Sequence, residues 1–559
     1  MLRRALLAAL LGALSIAGAV VATLGVGGAS GAVTTTTTAT STTSTAVTTT
    51  TATVPAAGRP AVTLLFSGHG WGHGAGLSQW GARGYAEHGW TYDRILAHYY
   101  PGTTLGTAPV TTVRVLLVEG AKTLTLSSAG PWRVVDAEGT SSDLAAGKVV
   151  LDQALKLKPP GAPDPLVPPL TFQGSAGPLK LGGSTFRGAI AVQKGPSGKL
   201  QAIDAVGLED YLRGVVPSEM PSSWHAEALK AQAVAARSYA LAQRATGKEY
   251  DLYGDTRSQV YLGVAAEKPS ASAAIDATAG RVLLYKGQVA TALFSSSSGG
   301  RTASQAEAFA GGRGVDYLVS VDDPYDASPY VDWGPVAVDG AKAAQALGLK
   351  GPVLDIATTL GPSGRTVSGA VALPAGTAIV TGPQLRFGLG LRSTWFTIGL
   401  LSLSPPPAPV PIGGTATLNG VARGAGAVAL EQRPGAGDWL PAPVLKAGAN
   451  GAFMVRVEPP RTTDYRLASA TVAGAVARVA VAPAVKLGAG LRGKVRPAVA
   501  GKQVVIQQQL GSRWTKAATV PVAAGGAFSG GALGPGTYRA RYAPGAGLVA
   551  GVSAPVVVP

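Results

Sequence analysis

Val215-Val216-Pro217-Ser218-Glu219-Met220-Pro221-Ser222-Ser223-Trp224 sets one acid between two prolines and opens onto a long alanine-rich segment. From Trp224 to Ala245 there is no Gly or Pro, and Leu229, Ala233, Ala236 and Ala240 recur at helical spacing. Pro221-Ser222-Ser223-Trp224 offers the start and caps of that predicted helix, and its small residues let neighbouring elements pack close. Glu219 is the candidate acid. Prolines stiffen its backbone, and a partly apolar turn raises a carboxyl pKa by desolvating the anion. A helix N-terminus or a nearby Arg acts the other way, so a general acid at neutral pH requires burial to prevail. The plainer reading has Glu219 capping the helix start. Arg237 lies eighteen residues further on, about five helical turns, and is expected on nearly the same side. If buried it needs an anionic partner or ligand; if on the far side it faces solvent.

Working outward, residues 67–84 read Ser-Gly-His-Gly-Trp-Gly-His-Gly-Ala-Gly-Leu-Ser-Gln-Trp-Gly-Ala-Arg-Gly, with glycine at every second position from Gly68 to Gly76. In an extended chain His69, Trp71 and His73 share one face, and the bare opposite face admits another backbone or a polymer. A tight glycine loop whose histidines bond their neighbours is the alternative. The spacing of His69 and His73 suits a zinc pair only on a helix, which Gly70-Trp71-Gly72 disfavours. Asp322-Asp323 reads as a turn before a metal site. Ser295-Ser296-Ser297-Ser298 lacks a nucleophile elbow, and no Walker loop or dinucleotide fingerprint occurs. Basic residues are not interleaved with aromatics in a nucleic-acid pattern.

The body over 61–400 is predicted as α+β: a β-rich domain with strands at 113–118, 147–151 and 281–285 around the Ala-rich helix. Beyond Ser404-Pro405-Pro406-Pro407-Ala408-Pro409 the chain repeats itself. Leu418-Asn419-Gly420-Val421 matches Leu491-Arg492-Gly493-Lys494, Trp439 matches Trp514, Gly451-Ala452-Phe453 matches Gly526-Ala527-Phe528, and Tyr465-Arg466 matches Tyr538-Arg539. This spacing suits two small immunoglobulin-like β-sandwiches, over 405–482 and 483–559. At the other end Arg3 and Arg4 precede an apolar run, the pattern of a signal peptide or an N-terminal membrane anchor over 1–32. A Thr-rich spacer over 33–60 follows, too polar to bury a core.

These features place the expected site of action outside the cytoplasm: secreted, wall-associated or anchored. The chain has 559 residues, no Cys and a net charge of +17. Absence of Cys excludes a thiol nucleophile, a disulfide scaffold and Cys-ligated zinc. From Leu401 onward 16 Lys/Arg face 4 Asp/Glu, a bias suited to anionic wall polymer, a membrane surface, or a solvated basic face without a dedicated partner.

The motifs together resemble the SpoIID/LytB family of peptidoglycan-active proteins. The resemblance rests on Tyr211 through Pro221, Ala228 through Ala240, Ser258-Gln259-Val260-Tyr261-Leu262-Gly263, Ala277-Thr278-Ala279-Gly280, the Ser/Gly loop at 295–302, and the glycine–histidine run continuing to His98-Tyr99-Tyr100-Pro101-Gly102-Thr103. In the usual family order the glycine–histidine segment follows the domain end, here Leu391-Arg392-Ser393-Thr394-Trp395-Phe396. Its position upstream implies a circular permutation, which requires the two ends to meet. The resemblance implies a lytic transglycosylase on glycan strands, with a preference for strands free of stem peptides. Glu219 would protonate the MurNAc–GlcNAc oxygen and then take the proton of the C6 hydroxyl as a 1,6-anhydro ring closes. Neither water nor a second carboxylate is needed, unlike hydrolysis. Arg237, His69, Trp71, His73, Gln79, Gln259 and Tyr261 would contact sugar. Some members bind zinc, but without Cys ligands no metal and no cofactor is expected here. Glycan strands are the expected partner, with anionic wall polymer and a cell-wall amidase as further ones. A non-catalytic amidase enhancer, or an adhesion protein acting through its C-terminal modules, are the other readings.

Overall fold

A computed structural model describes residues 58–175, 177–245, 247–309 and 314–559. The leader and nearly all of the Thr-rich spacer lie outside the described residues. Five helices matter for the site: α1 (Gln79–Glu87), α2 (Tyr92–Tyr99), α3 (Leu208–Glu219), α4 (Ala226–Ala242) and α5 (Pro269–Ala277). Helix α4 is the pivot, packing against the other four. Ala228, Leu229 and every residue from Ala231 to Leu241 are buried, the signature of a helix enclosed on all sides. Alanines at these contacts are what permit four neighbours to approach one axis. The helix is shorter than the expected span of 224–245 at both ends. None among the described residues is long and apolar enough to cross a membrane.

The main sheet orders its strands Leu252–Tyr253, Thr112–Ala121, Leu200–Gly207, Ala189–Lys194, Leu170–Gly174, Trp132–Val135 and Ser141–Leu144. Val113 and Val115 alternate inward from the second strand, meeting Tyr211, Leu212, Val215 and Val216 of α3 and Ala233, Ala236 and Ala240 of α4 in one core. A second core joins α1, α2 and the other flank of α4 through Tyr85, Tyr99, Tyr100, Leu229 and Val234.

The two ends of the body meet. Strand Ala61–His69 runs antiparallel to Phe396–Ser404 from Ala61↔Leu403 to Gly68↔Phe396, and to Asp332–Asp339 on its other edge. This is the juxtaposition that a permuted order requires.

Phe396–Ser404 also pairs with Ala416–Arg423, and Leu401 and Leu403 share a core with Leu418, Tyr465 and Leu467. The sheet therefore crosses the expected boundary at 405 without a break. The last part of the chain holds two sheets around one core. Ala484–Leu487, Arg492–Arg496 and Ala527–Ser529 form one; Arg513–Pro521, Gln503–Leu510, Gly536–Tyr542 and Gly551–Val552 form the other. The fold is mixed α+β and rich in strand.

Candidate functional site

Helix α3 starts after Gly207 with Glu209 and Asp210 in its first turn, where acids suit the helix field. Pro217 lies inside the last turn, and Met220 is extended (φ −130, ψ 133), as the residue before Pro221 must be. The helix therefore stops at Glu219. This corrects the expectation of an acid at the start of the Ala-rich helix. That helix is capped by His225, whose ring accepts from the Glu227 N–H. The difference matters electrostatically: a helix C-terminus presents its negative end, which disfavours a carboxylate. Burial raises the Glu219 carboxyl from 4.5 to about 7, opposed by a hydrogen bond from the Val260 backbone N–H. The residue as a whole is only partly buried, while its carboxyl is desolvated.

Around Glu219 the chain collects amides and aromatics. Gln79 Nε2 donates to the Glu219 carbonyl at 3.0 Å and to Gln232 Oε1 at 3.5 Å. Tyr211 donates to Gln259 Oε1 at 3.2 Å. The Gln232 and Gln259 amide nitrogens are buried without a protein partner, so each has a donor to spare. Beside Gln79, Trp80 packs on Trp224, ring centroids 4.7 Å apart, and the Arg83 guanidinium lies over both rings. Both tryptophans are partly exposed. This pair is not legible from sequence alone, where Trp224 reads as part of a helix start and Trp80 as part of the glycine–histidine motif. Its signal is position alone: one Trp follows Gln79 and the other lies five residues past Glu219.

The glycine–histidine run is a loop, not an extended platform. Gly70, Gly72, Gly74 and Gly76 all have positive φ (71°, 117°, 78° and 71°), so His69, Trp71 and His73 do not share a face. The bare backbone serves close approach within the chain. Trp71 exchanges both backbone hydrogen bonds with Ser297, at 2.9 and 3.0 Å, and a Cβ on Gly76 would stand 2.0 Å from the Leu293 carbonyl oxygen. His73 is buried, accepts from the Ala75 N–H through Nδ1 at 3.1 Å, and packs on Phe309. Burial, with Arg386 and Arg365 nearby, lowers its pKa to about 3; it is a neutral structural group.

The other residues named from sequence disperse. His69 bonds Asp332 at 2.6 Å and leans on Trp395. Trp71 meets Tyr330 edge-on, with Arg392 over both rings. Arg237 is corrected outright. The break at 220–225 separates α3 from α4, and the fully buried guanidinium binds Glu209 at 2.5 Å and the Arg281 carbonyl at 2.9 Å. It joins α3 to α4 and does not stand beside Glu219.

Tyr261 is likewise interior: its ring lies against Gly214 of α3, and its hydroxyl donates to Asp204 at 3.1 Å. Asp204 is the second acid that sequence reading did not find. It is fully buried in the strand Leu200–Gly207, and desolvation raises its pKa to about 8. Lying behind Tyr261, it is closed to substrate.

Ser297 and Ser298 are buried and bind Asp323 and Asp326, a polar lock under the loop and not a nucleophile. Among the described residues no three His, Asp or Glu side chains are grouped to hold a metal ion.

Residues 196–285 match the family model described as SpoIID, stage II sporulation protein. That span includes α3, Glu219, α4 and the Gln259–Tyr261 segment. The chain is 40% identical over 122 residues to the amidase enhancer of Bacillus subtilis, covering 22% of this chain and 16% of the relative. It is 33% identical over 219 residues to the stage II sporulation protein D of Bacillus subtilis, covering 35% of this chain and 61% of the relative. It is 40% identical over 122 residues to an uncharacterized protein of Brachyspira hyodysenteriae, covering 21% and 33%. The chain thus spans less than two thirds of the length of each of these relatives.

Proposed function

We propose, from the premise that this chain carries a domain of the SpoIID/LytB family, that it cleaves peptidoglycan glycan strands as a lytic transglycosylase. The observation that carries this reading is the Glu219 carboxyl, held near neutrality by burial at a helix C-terminus on a residue that is itself only partly buried. A carboxyl of pKa about 7 is an acid and a base at working pH. In the first step its proton passes to the oxygen linking MurNAc to GlcNAc, and the glycosidic bond breaks. The carboxylate formed keeps the Val260 N–H as a donor. In the second step it takes the C6 hydroxyl proton while that oxygen bonds C1, giving the 1,6-anhydro ring and restoring the acid. No water enters, and no second carboxylate is used. Asp204 is sealed behind Tyr261 and is not available as the second carboxylate of a hydrolase.

Trp80 and Trp224 supply a stacking surface for sugar rings, while the buried Gln232 and Gln259 brace Gln79 and Tyr211 beneath it. Trp80→Ala and Trp224→Ala are each expected to raise KM for glycan strands about fivefold with little change in kcat, a loss of about 1 kcal/mol of uniform binding. For the free enzyme, kcat/KM is expected to be level below the Glu219 pKa of about 7 and to fall about tenfold per unit above it, as the acid form is lost. A pH–rate profile checks this; activity that rises through pH 7 contradicts an acid role.

Action on the cell wall further implies export through the N-terminal leader, and the two C-terminal repeats fit immunoglobulin-like modules that hold the enzyme on the wall. The amidase enhancer relative supports a second reading, in which the chain binds the wall and stimulates a separate amidase. Digestion of purified strands, with and without stem peptides, followed by mass spectrometry separates the two. Anhydro-ended fragments made by the protein alone support cleavage. Intact strands, together with faster amidase release when both proteins are present, support the enhancer.

A further inference from the structure

Residues 483–559 contain nine Lys/Arg and no Asp or Glu. The preceding repeat shows what is missing. There Glu431 lies opposite Arg466 and accepts from its Nε at 2.6 Å, while Arg466 stacks on Trp439 at 4.1 Å. Asp464, buried, binds Arg433 and Arg478. In the last repeat Gln507 takes the place of Glu431, opposite Arg539 and accepting from its Nε at 2.9 Å. Thr537, the residue before Tyr538, takes the place of Asp464 before Tyr465. The stack survives, with Arg539 4.3 Å from Trp514. The repeat keeps the aromatic–cation pair and has neutral groups where its neighbour has acids.

The cations it retains are displayed, not neutralised. On the first sheet Val495 points into the core and Arg492, Lys494 and Arg496 point out, all exposed. Lys486, also exposed, is directly opposite Lys494, a like-charge pair that costs stability in an isolated sheet. On the second sheet Tyr538, Ala540 and Tyr542 face the same core, so Arg539 and Arg541 face away from it, with Lys516 opposite Gln507 beside them. The two outward faces are therefore on opposite sides of the unit, and both are cationic. A flat bilayer meets only one of them, whereas a flexible chain can lie over both. Alternate residues on a strand are roughly 7 Å apart, so Arg492, Lys494 and Arg496 form a row suited to regularly spaced charges.

We propose that residues 483–559 bind a flexible polyanion that carries phosphates along its length. This site is separate from Glu219 and does not depend on the reading of that acid.

The test uses the full chain and long-chain inorganic polyphosphate as probe, with binding measured across a salt series. Wild type should bind at ~150 mM salt. Changing Lys486, Arg492, Lys494 and Arg496 together to Gln should weaken binding at least about tenfold and reduce the slope of log Kd against log salt by roughly 3. Lys516→Gln with Arg539→Gln and Arg541→Gln should weaken it as well. Gln507→Glu with Thr537→Asp removes no cation and restores the acids of the neighbouring repeat. It should also weaken binding, with an unchanged melting temperature. Absence of binding by wild type, or equal binding by all variants, overturns the proposal. So does tighter binding to vesicles of phosphatidylglycerol and phosphatidylcholine than to polyphosphate, with loss confined to substitutions on one face; that result marks a membrane surface.

Discussion

Glu219→Gln is expected to remove glycan-strand cleavage, with a loss of at least roughly 10²–10⁴-fold in kcat, while the protein folds as before. The amide can still accept from the Val260 N–H but has no proton to give and cannot take one up. Stability supplies an independent readout. The folded carboxyl titrates at about 7 against an ordinary value of 4.5. Below the lower value both states are protonated and the group costs nothing. As pH rises toward and through 7, the unfolded chain ionises freely while the folded chain must hold a desolvated anion, so wild type loses stability. The Gln variant escapes this cost. Its melting temperature should therefore exceed that of wild type at pH 8, and the difference should shrink toward pH 4. A variant that loses both activity and stability at pH 8 would show Glu219 to be a structural residue.

Gly76→Ala should be the most damaging single substitution in the glycine–histidine loop. Gly76 has φ of 71°, and an added Cβ would lie 2.0 Å from the Leu293 carbonyl oxygen and 3.0 Å from the Tyr100 ring. Left-handed backbone costs a non-glycine residue about 1 kcal/mol or more. Here the neighbour is backbone, which cannot rotate away, and the Leu77 N–H bonds the same carbonyl at 3.0 Å. A loss of at least about 3 kcal/mol follows, read as a fall in denaturant midpoint. Gly89→Ala is the control, since Gly89 has φ of 79° and nothing within 4 Å of its Cβ position; only the backbone term should appear, about 1 kcal/mol. Equal effects at both sites would mean that close packing of the loop on 293–297 contributes nothing.

What could be read in the sequence was local. Helical spacing of small residues located α4, the apolar run at 113–118 located the core of the strand Thr112–Ala121, and two prolines around one Glu singled out Glu219. What failed was non-local. Eighteen residues of uninterrupted helix would have set Arg237 on the same side as Glu219, about 27 Å along the axis, but Pro217 and Pro221 end α3 and free α4 to start at its own cap. Asp204 sits among Ala202, Val206 and other inward residues, where an acid reads as an outward position until the Tyr261 hydroxyl is found against it. Trp80 and Trp224 are 144 residues apart in sequence, and only the packing of α1 on α4 brings them together. The glycine run suggests close approach of a backbone or a polymer on an extended strand; the structure has a backbone approaching a loop. Which backbone, the serine loop at 293–299, is a tertiary fact.

In the proposed mechanism Glu219 passes one proton out and takes one back with no water between. Digestion of stem-free glycan strands by wild type in heavy-oxygen water reads this out. Products ending in 1,6-anhydro-MurNAc that carry no heavy oxygen are expected. Reducing ends labelled with heavy oxygen would rule the mechanism out, because they require water as the nucleophile.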